Sequence, residues 1–505
     1  MIEMCGKMTA KQTLKCILLI LLFLVLTFTI VFGISSDDYF RTSLTASSET
    51  NICVSKKYAF YDYSDFISAN GVKAATDTET STIYITVSDK DLKNENFFDG
   101  LLEIFAYPKV EFVIDVNEYY DKISKGEPLQ VFVFQKNSQE YMRYNLVVTT
   151  LPVISLYGNE TGRDKNGNIL YNGDFAIWSN NKSEYVKESS VEWGLRGFTS
   201  LNYDKKSFKL SLKKHNTDNH MSLLNLGSDY EWILNAMAID DTKVREKMIM
   251  DVWNQLASIS DHNAKMSNGE YVELIINGSY KGLYLLQRQV NERYLNLNNE
   301  TVLLKGNNTW SPTSVYDGYE IKYVAGVSKK EIYKHMSGLF FMNDFSNVNI
   351  NNWIDINLFV QFGNMYDNTW IKNSFYTINY GDSAKIGIIL WDTDMSFGVV
   401  WKDTGSICTF EPGGKALRAE YAALISTYPE VKDLMSERWK ELRRGVLSND
   451  NFISTIEKCR SEIESTGAIC RDNAVNGLFH NGDDDYEKLI VYILDQFCIM
   501  DEIYF

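Results

Sequence analysis

The sequence predicts an α+β protein: a small β-rich module, then a mixed domain that begins in strands and ends in helices. Three observations carry this. Residues 56–150 hold several short alternating stretches, among them STIYITVSD, KVEFVIDV and LQVFVFQK. Two hairpin patterns follow, one around Asn277-Gly278 and one around Gly381-Asp382. After Gly413 the spacing of apolar residues is mostly helical. Strands first and helices last give α+β rather than a doubly wound α/β sheet.

The N-terminal elements come first. Lys7, Lys11 and Lys15 precede an uncharged run from Cys16 to Ile34. About 20 apolar residues cross a bilayer, whereas a signal-peptide core is about 7–15 long. Residues 16–35 are therefore expected to be a transmembrane anchor, or an uncleaved signal. The lysines put residues 1–15 in the cytoplasm. The protein is then expected in the cell membrane, single-pass, with everything beyond the anchor outside the cytoplasm. Residues 36–55, rich in Ser, Thr and Asp, read as a spacer. Residues 56–150 suggest a sandwich-like module with no catalytic grouping of its own.

The main domain is expected over 151–480, with a C-terminal helix over 481–505. SVEWGLRGFTS and KKSFKLSLKKH read as strands around a turn. Residues Asp240 to Ser260 have helical spacing, with Val244, Met248, Val252 and Leu256 on one stripe. Asn277-Gly278 is a strong hairpin turn. NNWIDINLFVQFGNMYDN reads as a helix ending near Gly363. Cys459 and Cys470 are expected on one helix about 16 Å apart, too far for a disulfide. The remaining cysteines read as mostly free, buried thiols.

The chain has 505 residues, with Asp and Glu outnumbering Lys and Arg by 66 to 50, for a formal charge of -16. Such a balance repels phosphate backbones and excludes nucleic acid as a partner. No C-x-x-C or Cys/His cluster suggests zinc.

The chemistry concentrates between Asp367 and Asp394. A helix leads to Asp367, then come Asn373, a hairpin, and Asp392-Thr393-Asp394 before Phe397-Gly398. If the last strand continues through Asp394, the two carboxylates fall on one face about 7 Å apart. Like charges that close call for a cation between them. Protein kinases use a similar order: a catalytic-loop Asp, an Asn, a short hairpin, then a metal-binding Asp before Phe-Gly. A strand-end D-x-D also suits a metal-dependent glycosyltransferase. Turn chemistry alone would explain Asp367 and Asn373. A second group is basic. Arg196-Gly197 precedes a strand on which Lys206 falls on the side of Phe208, Leu210 and Leu212, while Lys209 points the other way. Lys206 is a candidate for a phosphate oxygen, and a solvated basic edge strand is the other reading.

In shared order over some three hundred residues, these motifs resemble the CotH family, the spore-coat-protein-H atypical protein kinases. The motifs are Arg196-Gly197, Lys206-Ser207-Phe208-Lys209, Trp232 leading to Asp240, Thr242 and Arg245, and the hairpin Tyr271 to Leu286. The series closes with Asp367, Asn373 and Trp391 to Gly398. The resemblance implies an atypical protein-kinase-like core that moves the γ-phosphate of ATP to Ser/Thr of secreted, cell-surface or coat proteins, with Mg²⁺ or Mn²⁺. By position it implies Asp367 as the catalytic carboxylate and Asp392, Asp394 and Asn373 as metal ligands. Lys206, Lys209 and Arg196 are implied at the nucleotide. Two positions depart from the family pattern. Gln287-Arg288 stands where the family often has Glu, and Glu246 where it often has Asn. A non-catalytic surface or coat scaffold on the same fold is the alternative.

Overall fold

The computed structural model describes residues 67–505, leaving aside 70–71, 93–101, 105–109, 115–118, 136–140, 180–185, 198, 263, 308–317, 325, 343, 366, 369–371, 382–383, 402–407, 411–423 and 478–482. The expected anchor over 16–35, the spacer over 36–55 and the first part of the helical stretch expected after Gly413 lie outside the described residues. Among those described, no helix is long and apolar enough to cross a membrane.

The chain forms two units. The first comprises Met1–Ala74, Lys93–Asn117 and Gln130–Asn145; the second comprises Ala75–Leu92, Glu118–Leu129 and Leu146–Phe505. In the first, Ile67–Ala69 pairs with Val72–Lys73 and with Leu102–Ile104, all antiparallel. The β-rich stretch expected over 56–150 is thus divided. Its strands Ala75–Asp77 and Thr82–Thr86 belong to the second unit. The reason is packing: Ala75, Tyr84 and Val147 share a core with Val153, Trp178, Ile275 and Tyr280, and Tyr84 stacks on Tyr280 at 5.2 Å.

The second unit is built on a sheet that closes on itself. In order, Val186–Arg196, Ile169–Trp178, Val153–Arg163, Gly269–Ile276, Ser279–Arg288, Glu231–Asn235 and Ser207–Lys214 pair as neighbours, and Ser207–Lys214 returns to pair with Val186–Arg196. Only Val153–Arg163 with Gly269–Ile276 is parallel. Alternation puts Ile154, Leu156, Phe175, Ile177, Val191, Trp193, Leu210, Leu212, Trp232, Leu234, Val272 and Leu274 in the interior. Closure needs glycine where strands press together. A Cβ on Gly173 would meet the Tyr157 carbonyl at 2.0 Å, and one on its partner Gly158 would meet the Asn172 carbonyl at 2.2 Å. The Asn277-Gly278 turn has the two positive φ values, 50° and 73°, that such a tight hairpin requires.

The remainder is a four-stranded antiparallel sheet, Tyr319–Tyr323, Thr301–Gly306, Ser374–Asn379 and Lys385–Leu390, covered by helices. Helix Ile350–Phe362 is capped by Asn349 and lies on this sheet. The Asn352 amide exchanges hydrogen bonds with Ile388 at 3.1 and 2.6 Å. Helix Arg245–Ile259 starts later than its spacing suggested. Asp240 takes the Thr242 and Arg245 N–H groups at 3.1 and 2.8 Å, so residues 240–244 form a turn. Val431–Arg443, Asn449–Glu464, Ala468–Asn476 and Asp483–Tyr504 complete the helical part. Cys459 and Cys470 are on different helices, not one, because Gly467 breaks the chain direction at φ 71°. Cys459 is a buried free thiol, while Cys470 and Cys498 are free and exposed. The α+β class is therefore what the structure has, with a closed barrel that the sequence pattern did not indicate.

Candidate active site

Strand Lys385–Leu390 ends before the aspartates. Its continuation through Asp394, expected from the sequence, does not occur. Trp391 still bonds back to the Asn373 carbonyl at 3.2 Å, but Asp392 turns into the left-handed region at φ 55°. For a residue with a Cβ this costs about 1–2 kcal/mol. Asn364, Asn373 and Phe397 share the conformation, at 43°, 52° and 44°. Such strain persists where surrounding contacts over-determine it. Here Phe397 is fixed by an N–H bond to Gly363 at 2.7 Å and by edge-to-face contacts with Phe362 and Phe452 at 5.3 and 5.7 Å.

Asp367 is held from the other side of the turn. Lys372 pairs with its Oδ1, and the Asn373 amide donates to its Oδ2 at 2.9 Å. Asn368 donates to the Asn373 and Trp391 carbonyls, both at 2.9 Å. That one amide ties the Asp367 loop to the aspartate loop. The structure thus brings Asp367, Asn373 and Asp392 together.

The third support is Glu246, in the first turn of helix Arg245–Ile259. Its Oε2 accepts both the backbone N–H and the hydroxyl of Thr393 at 2.9 Å. Its Oε1 accepts from Gln287 at 3.4 Å. The two departures from the family pattern therefore touch each other. A carboxylate and an amide are still present, with the carboxylate on the helix instead of the hairpin.

The electrostatics are lopsided. Burial, then the charges of Asp392, Glu246 and Asp367, push the Asp394 carboxyl well above the usual range. Burial and Asp392 push Glu246 up to about 7, although Thr393 bonds and Arg196 pull the other way. Burial also raises Asp367, against the pull of Lys372. Arg196 feels Asp392, Glu246 and Asp394, and its guanidinium lies 5.2 Å from the centroid of Trp391. Four carboxylates share this region, and crowded like charges shift upward unless a cation joins them.

The donors are hard oxygens, the class that suits Mg²⁺. Among the described residues no three His, Cys, Asp or Glu side chains converge into a ready cage.

The other two basic residues already have partners. Lys206 is spent on main-chain carbonyls, donating to Leu201 at 2.6 Å and to Tyr203. Lys209 is largely exposed and pairs with Glu231 at 2.8 Å. Sequence reasoning passed over Lys372, Asn368 and Thr393, although Lys372 directly precedes Asn373 and Thr393 separates the two aspartates. The CotH kinase protein family matches the chain over residues 194–496. No curated protein matches it.

Proposed function

Because the chain belongs to the CotH kinase protein family, we propose that it transfers the γ-phosphate of ATP to Ser or Thr of a secreted or cell-surface protein. The family supports kinase or related chemistry; the acceptor class and the membrane anchor are part of this reading. The observation that carries it is the tie between two carboxylate loops through Asn368, which sets Asp367 beside Asp392.

Phosphoryl transfer asks the protein for positioning and charge more than covalent work. Asp367 would accept the acceptor hydroxyl's proton. Its raised affinity for protons suits a base, and Lys372 and Asn373 fix its orientation. Asp392 and Asp394, with Asn373 alongside, would hold Mg²⁺, which when bound neutralises the phosphate charge and polarises its oxygens. Glu246 acts through Thr393, keeping the aspartate loop in its strained shape. Burial, and behind it the charges of Asp392, Glu246 and Asp367, push Asp394 upward, and a bound cation would relieve the part that comes from those charges.

The test is transfer from labelled ATP by the full-length chain, to itself and to secreted proteins, with Mg²⁺ present. Wild type should label an acceptor, and Asp392→Ala should lose the signal while folding normally. If wild type neither transfers phosphate nor binds Mg-ATP, the reading falls. A scaffold would capture its partner equally well with Asp392→Ala.

A further inference from the structure

The same region contains a second cation that no motif pointed to. Lys305 lies within strand Thr301–Gly306, opposite Phe375 in the register with Ser374–Asn379. Its amine is 5.8 Å from the Phe375 ring centroid. Phe375 meets Trp391 edge to face at 5.6 Å, and Arg196 covers Trp391 at 5.2 Å. Two cations therefore rest on the two rings of one aromatic pair, next to the aspartate loop.

Neither cation is spent. Among the described residues, Lys305 and Arg196 make no ion pair within 4.0 Å and no side-chain hydrogen bond. Glu320, across the register from Lys305, is taken by Lys322 at 2.7 Å. Both cations feel Asp392, and they repel each other. A half-buried guanidinium and ammonium with unused donors are costly unless an anion supplies acceptors. With Asp392 committed to a divalent cation, the missing partner is an anion with several oxygens that bridges the two.

We propose that Lys305 and Arg196 form a clamp for the polyphosphate of a nucleoside triphosphate. Arg196 reaches it from the end of the barrel strand and Lys305 from the four-stranded sheet. This rests on the nucleotide reading above and replaces Lys206 and Lys209 in the phosphate role. Their donors already serve carbonyls and Glu231. The rings hold both cations in place before the ligand arrives, which lowers the ordering cost of binding.

The experiment is calorimetric titration of the full-length chain with Mg-ATP, adenosine and Mg-tripolyphosphate. Lys305→Met and Arg196→Met should each weaken Mg-ATP and tripolyphosphate by about tenfold or more, the size of one lost charge-assisted bond. Adenosine affinity should change by less than about twofold. Lys305→Arg should recover most of the loss. Lys330→Met, which removes an exposed lysine from helix Lys329–Met342, should bind like wild type. If Lys305→Met does not fold, Lys305→Gln carries the same expectation. Wild-type affinity for both polyphosphate ligands in the Lys305 variants overturns the clamp. Wild-type binding of tripolyphosphate without Mg-ATP, lost in those variants, overturns the nucleotide reading but leaves the clamp standing. Binding of neither overturns both.

Discussion

Six carboxylates in this protein fall into two groups by the direction in which their surroundings push them. Asp229, Asp240 and Asp355 are held below the usual range. Burial pushes each of them up, but hydrogen bonds and cations outweigh it. Asp355 accepts from His262 at 3.0 Å, Ser260 at 2.9 Å and Arg438 at 2.8 and 2.9 Å. Asp229 meets Arg288 and Arg293 at 3.1 and 3.0 Å. Asp367, Asp394 and Glu246 face the same burial penalty and move the other way. Around the first group each negative charge has its own cation. Around the second, carboxylates repel one another although Lys372 pairs with Asp367, and among the described residues Arg196 and Lys305 make no ion pair. The first arrangement stabilises a fold; the second is the kind of perturbed carboxylate cluster that gathers at functional sites.

The largest effect is expected at the second group. Asp367→Asn should reduce phosphate transfer at least about a hundredfold, as loss of a general base does. Mg-ATP affinity should change little, and the thermal midpoint should hold or rise, because a repelling charge is gone. A midpoint that collapses would move Asp367 into the structural group. The next effect is expected at the seam between helix Ala468–Asn476 and the barrel. There Arg471 meets Glu273 at 2.6 Å, and Lys205 meets Asp472 at 2.7 Å, all nearly inaccessible to solvent. Arg471→Met leaves Glu273 buried without its cation, which should cost about 3–5 kcal/mol. Chemical denaturation measures it, and the transfer rate per folded molecule should stay at the wild-type level.

This contrast was only partly legible in the sequence. The Asn277-Gly278 hairpin, the helix ending at Gly363 and the order of Asp367, Asn373, Asp392 and Asp394 could be read from turn chemistry and spacing, because those signals are local. Barrel closure was not, since it depends on Val186–Arg196 finding Ser207–Lys214 at the same time as Ile169–Trp178. The left-handed turn at Asp392 was hidden too. Nothing in an apolar run ending in Asp announces it, and the contact beside it joins Thr393 to Glu246, 147 positions away. The helix carboxylate could be noticed from its place after Arg245; its partner could not. Lys206 looked right by strand parity, yet parity says nothing about the Leu201 and Tyr203 carbonyls that take its amine.

The smallest expected effect sharpens the comparison through pH. Asp355 lies below its ordinary value in the folded protein, so the unfolded chain binds the proton more readily. The stability it contributes is fully present above the unfolded carboxylate value, about 4, and is lost as pH falls through the lower folded value. Asp355→Asn removes that dependence and keeps an amide in the same place. At pH 7 the variant should be less stable by about 1–2 kcal/mol, the size of charge-assisted bonds traded for neutral ones. As pH falls below about 4, the gap between the two proteins should close. Urea midpoints at several pH values would measure it. A gap that is the same at acid and neutral pH would mean that His262, Ser260 and Arg438 hold the amide as well as the carboxylate, and Asp355 would leave the group of charge-stabilised sites.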